Sequence, residues 1–80
     1  MLANYIRAAM HKATYEILPD DGTFYGHIPE LKGVWANAAT LEECRDELEG
    51  VLEEWILLRV SEHLPIPSID GINLSFPKAS

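Results

Sequence analysis

The spacing of apolar positions changes character along the chain, and each change predicts an element. Leu2, Tyr5, Ile6 and Ala9 recur at intervals of three and four, which predicts a short N-terminal helix over residues 1–11. From there the period falls to two. Ala13, Tyr15 and Ile17 alternate with Lys12, Thr14 and Glu16, as in a strand with one buried face. Pro19-Asp20-Asp21-Gly22 combines a fixed φ, tolerant aspartates and a glycine that accepts positive φ, so it reads as a turn. Thr23 to Ile28 returns as the second strand of a hairpin, with Phe24, Gly26 and Ile28 on one side and Tyr25 and His27 on the other. Pro29 ends that strand. Gly33 opens a third through Val34, Trp35 and Ala36, giving a three-stranded antiparallel sheet over residues 12–38. The expected inward strand positions are Tyr15, Ile17, Phe24 and Ile28.

The longest element is a helix over residues 40–64. Thr40-Leu41-Glu42-Glu43 is a capping box, in which a hydroxyl and a carboxylate satisfy free backbone N–H groups. Leu41, Cys44, Leu48, Val51, Leu52, Trp55 and Leu58 form an apolar stripe at helical spacing. Pro65 and Pro67 forbid continuation much past Leu64. A last strand is expected at 72–76, where Ile72, Leu74 and Phe76 alternate with Asn73 and Ser75 beyond the Asp70-Gly71 turn. The predicted class is therefore α+β: an antiparallel three- to four-stranded sheet against one long helix, in the order β-β-β-α-β, with an extra N-terminal helix.

One helix face changes nature along its length. Glu42, Asp46, Glu49 and Glu53 occupy it early, and Ile56, Leu57, Val60 and Leu64 occupy the same side later. The apolar half is either covered within the monomer by the N-terminal helix or last strand, or forms the interface of a dimer or tetramer. We expect the latter of Ile56, Leu57, Val60 and Leu64.

Size and charge narrow the function. Eighty residues allow one domain, expected to span 1–80. A core this small rarely supplies more than about 3–5 kcal/mol, so self-association is a reasonable source of stability. The lone Cys44 offers no disulfide and fits a reducing, cytoplasmic setting. A net charge of −7 at pH 7 repels phosphates, so direct nucleic-acid binding by this chain alone is not expected. A basic partner would instead be attracted. Met1 to Met10 lacks the pattern of a signal peptide, and no apolar run suits a bilayer, so no membrane role is expected.

Catalytic chemistry finds little support. His11, His27 and His63 lie in different elements and share no metal-ligand spacing with Cys44, which sits on the apolar stripe. Inward strand positions carry no acids for a two-metal nuclease. The glycines are scattered, leaving no phosphate loop. No catalytic residue, metal or cofactor is expected.

The run Asp21-Gly22-Thr23-Phe24-Tyr25-Gly26-His27-Ile28-Pro29-Glu30-Leu31-Lys32-Gly33 resembles the central signature of HicB-like antitoxin domains, a Gly-aromatic strand followed by a Val/Ile-Pro-Glu-Leu-x-Gly turn. Ala36 to Cys44 is similar to that family's lead into a Thr-x-Glu-Glu helix, and Pro65-Ile66-Pro67 to its exit. The likeness covers about residues 12 to 76. Val34, Ala38 and Cys44 stand where the family often has Cys, Gly and Ala, and only some members would share the N-terminal helix. The resemblance implies a partial ribonuclease H-like fold that inhibits a HicA-type toxin, a small basic RNA-cleaving protein. Many members add a C-terminal DNA-binding module. The chain stops soon after the expected last strand, so operator binding by it alone is not expected. On this reading Tyr25, His27, Glu30 and Trp35 contact the partner, and Glu42, Asp46 and Glu49 steer it. The alternatives are an orphan self-assembling domain and, from another class, a ribonuclease H-type nuclease.

Overall fold

A computed structural model describes residues 2–74. Helix α1 (Leu2–His11) leads into strands β1 (Thr14–Ile17), β2 (Phe24–His27) and β3 (Trp35–Ala38), and the long helix α2 (Leu41–Ser61) follows. The strands form one antiparallel sheet in the order β1-β2-β3. Tyr15 lies opposite Gly26, and Gly26 opposite Ala36. The α+β class and the helix-on-sheet arrangement match the sequence reading.

Small side chains let α2 lie close on the sheet. A Cβ placed on Gly26 would sit 2.7 Å from the Tyr15 ring and 3.1 Å from the Cys44 sulfur. Cys44 donates its thiol proton to the Ala36 carbonyl at 3.6 Å. The helix packs over β3 and β2 and buries Cys44, Leu48, Leu52 and Ile56. The 28–34 turn closes through Leu31 N–H to the Ile28 carbonyl and Ile28 N–H to the Val34 carbonyl, placing all three side chains in the core.

Five expectations need correction. Ile56 is 2% exposed and belongs to the core, because α1 lies along that side of α2: Ile6 and Ile56 line one groove. Leu41 and Leu58, placed on the core stripe by periodicity, are exposed, since the stripe drifts around the helix with each step of four residues. Ile17 is 61% exposed, at the end of edge strand β1, outside the cover of α2. Helix α2 stops at Ser61 rather than Leu64. The last strand is not formed at Ile72–Leu74, where Ile72 makes only an isolated bridge to Ile69; positions 75–76 lie outside the described residues.

The end of α2 has a definite cause. The Leu64 N–H reaches the Arg59 carbonyl at 2.8 Å and the His63 N–H reaches the Val60 carbonyl at 3.2 Å. This is the paired closure of a Schellman motif, with His63 at φ 55° in the left-handed position usually given to glycine. Beyond it the chain folds back. Tyr5 donates its hydroxyl to the Pro67 carbonyl at 2.6 Å, Lys12 pairs with Asp70 at 2.9 Å, and Ile69 is buried.

Two stability changes follow. Gly26→Ala forces its methyl against Tyr15 and Cys44 and should cost about 1–3 kcal/mol in denaturant unfolding. His63→Gly relieves the left-handed strain and should raise stability by about 1 kcal/mol in the same measurement.

Candidate functional site

With α2 on one face of the sheet, the other face is left to the side chains of alternate strand positions. Pairing fixes which ones. Glu16 lies opposite Tyr25 and Tyr25 opposite Asn37; Thr14 lies opposite His27 and His27 opposite Trp35. Opposed residues in an antiparallel pair share a face. Two rows of three therefore cross the sheet, Glu16-Tyr25-Asn37 and Thr14-His27-Trp35.

The rings in these rows adjoin. Tyr25 and His27 have centroids 5.4 Å apart, and Tyr25 stacks with Trp35 at 6.1 Å and 27°. Trp35 is 54% exposed, whereas Tyr25 and His27 are half-buried. Thr14 Oγ1 lies 3.3 Å from His27 Nδ1, which ties that ring to β1. At the far end, the Asn37 amide donates to Thr23 Oγ1 and to the Phe24 carbonyl, both at 2.8 Å. Thr23 in turn donates its hydroxyl and its backbone N–H to Asp21 Oδ1, at 2.7 and 3.0 Å. The side-chain hydrogen bond from Thr23, then the backbone one, hold the Asp21 carboxyl below its ordinary range.

Three of the expected contact residues, Tyr25, His27 and Trp35, are thus brought together on one surface. Glu30 is exposed in the turn after β2 and is not one of the six positions. Glu42, Asp46 and Glu49 are exposed along α2, on the helix rather than on the ring-bearing face. Glu49 lines the groove beside α1 together with Arg7 and Arg45. Of the expected oligomer residues, Leu57 and Leu64 are exposed, at 65% and 44%, Val60 is half-buried, and Ile56 is enclosed. Sequence reasoning passes over Glu16, Thr14 and Asn37. The alternation of β1 already separates Thr14 and Glu16 from the buried set, but only strand pairing puts them beside the aromatic rings.

The reactive groups are dispersed. Cys44 is buried in the core, and desolvation raises its thiol pKa, which blunts it as a nucleophile. His11 ends α1, His27 ends β2 and His63 follows α2. Among the described residues no three His, Cys, Asp or Glu side chains gather as a metal site. No helix of the described residues is long and apolar enough to cross a membrane.

The Asp21 network should be visible in acid. A carboxyl with a lowered folded pKa contributes stability that is present above its unfolded value and lost as pH falls through the folded one. Melting temperatures of the wild type and Asp21→Ala should differ at pH 6 and converge below the ordinary aspartate pKa of 3.8.

Comparison with known proteins agrees with this architecture. Residues 4–67 match the UPF0150-like family. The crystal structure of TTHA0281 from Thermus thermophilus superposes with a TM-score of 0.89 at 36% identity, covering 96% of this chain and 95% of that one. No curated protein matches the chain. The HicB resemblance is met at the level of the family. With most of its sequence and nearly all of its fold accounted for in this way, the chain belongs to the UPF0150-like family, which is related to the HicB-like antitoxins.

Proposed function

We propose that the chain is an antitoxin-like protein-binding domain that neutralises a small basic RNA-cleaving toxin of HicA type by covering its RNA site. The observation that carries this reading is the sheet face opposite α2, where the rings of Tyr25, His27 and Trp35 adjoin one another. Aromatic groups of this kind anchor protein interfaces. The electrostatics favour the same class of partner. A toxin that holds RNA must present cations to phosphates, and a chain of net charge −7 can compete for that surface. Glu42, Asp46 and Glu49 on the exposed side of α2 extend the negative field that a basic partner meets on approach.

A self-assembling domain without a toxin is the second reading. Leu57, Leu58 and Leu64 leave apolar area exposed at the C-terminal end of α2 and just beyond it, and such patches favour self-association.

Full-length tagged protein drawn from native lysate at low salt, and read by intact mass spectrometry, separates the two. The antitoxin reading requires a stoichiometric small basic protein that high salt releases and that cleaves RNA until the chain is added back. Bait recovered alone as a defined oligomer supports self-assembly. With that partner in hand, the triple change of Glu42, Asp46 and Glu49 to Gln should lower the association rate about tenfold at low ionic strength and flatten its salt dependence. An unchanged rate would refute the steering role.

A further inference from the structure

The six strand positions of the outer face carry one carboxylate, three rings, a hydroxyl and an amide, with no lysine or arginine among them. We infer that this face reads arginine: a guanidinium from a basic protein partner lies on the Tyr25–Trp35 rings and pairs with the Glu16 carboxylate. The inference rests on the protein-binding reading above and specifies what that surface recognises.

The geometry suits a flat cation. Tyr25 and Trp35 are inclined by only 27°, and Trp35 is more than half exposed. The exposed part of Trp35 therefore leaves ring surface open to solvent beside Tyr25, and His27 adjoins Tyr25 along β2. A cation over such a face is attracted by the ring quadrupole. Glu16 lies directly across from Tyr25, within the few ångströms that separate opposed side chains. It can therefore accept two parallel N–H bonds from a guanidinium that stacks on its neighbour's ring. A lysine ammonium offers neither the planar stack nor the bidentate fork.

The same protein already shows this chemistry in another place. The Arg59 guanidinium stands 4.5 Å over the Trp55 ring and donates to the Pro65 carbonyl at 3.0 Å. There the ring and the acceptor oxygen belong to different segments, and one arginine joins them.

Competing occupants fit less well. A sheet face bearing aromatic rings can stack nucleobases, but such surfaces pair their rings with cations that hold the phosphate backbone. Here the face has none, and the chain repels phosphate. A second copy would bring its own Glu16 and its own excess of acids against an acidic face.

The test is an amide NMR titration of the full isotope-labelled chain at low salt with a blocked Gly-Arg-Gly-Arg-Gly peptide and its lysine counterpart. The arginine peptide should shift Glu16, Tyr25, His27 and the Trp35 indole in a saturable manner, and the lysine peptide should need at least about fivefold more. Trp35→Ala and Glu16→Gln should each weaken the arginine peptide about three- to tenfold and the lysine peptide by less, so that the preference for arginine narrows. Both positions are exposed, and unaltered melting temperatures and remote amide shifts will confirm the folds. Equal affinity for the two peptides, or shifts centred on the acids of α2, overturns the inference. So do concentration-dependent shifts of the same amides without peptide, which mark a second copy, or tighter binding of an oligouridylate there. A basic partner that holds wild type, Trp35→Ala and Glu16→Gln equally well overturns the inference but leaves the antitoxin reading standing. Selective arginine binding with no basic partner in the lysate upholds the inference and removes the toxin.

Discussion

The close seat of α2 on the sheet depends on one missing side chain. At Gly26, in the central strand, the Tyr15 ring and the Cys44 sulfur occupy the volume that any Cβ would claim. Ala36, opposite Gly26 on β3, is equally undemanding and receives the Cys44 thiol proton on its carbonyl. The helix can then bury Leu48 and Leu52 against the three strands of the described residues. Burial of a side chain of that size contributes about 1.5–3 kcal/mol each before entropy is subtracted, a large share for so small a core. Because the inner face is filled so tightly, every odd-numbered position of β2 is turned outward, and Tyr25 and His27 come to the surface as a consequence of how Gly26 packs.

The two helices divide the remaining work. Helix α2 supplies the core, while α1 shelters the side of α2 that the sheet does not reach. Tyr5 and Ala9 are fully enclosed by this arrangement. Ile56 is enclosed from the same side, leaving Leu57 and Leu58 outside. The apolar character of the last turns of α2 is therefore shared between an internal contact and an exposed one, and the boundary runs between adjacent residues.

Much of this is legible in the sequence because it is local. The Thr40 cap is read from four residues and is present: Thr40 Oγ1 accepts from the Glu43 N–H at 3.1 Å. The hairpin follows from alternation and from Gly22, which adopts φ 71°. Tyr25 and His27 fall on the face opposite Phe24 by simple parity. What escapes is non-local. Periodicity places Ile56 with Leu57 because neither residue says where α1 will lie. It places Leu58 in the core because a stripe drawn on one helix ignores the drift between helix and sheet. Prolines alone set the end of α2 three residues late, since a histidine in a left-handed position is a choice made by the closing hydrogen bonds and not by the prolines that follow. Glu16 is visible as a polar strand residue, but its partnership with Tyr25 exists only once the strands are in register.

The fold-back of the segment after α2 also sets an order of events. The hairpin and the helix cap join residues close in sequence, so little chain entropy is lost in making them. The Tyr5–Pro67 hydrogen bond spans 62 positions, and closing a loop of that length carries a cost that grows with the logarithm of its length. Contacts of this kind form after local ones have shortened the effective path between their ends. Helix α1 is thus held by a segment more than fifty residues further along the chain, a separation that weighs on folding rate more than on stability.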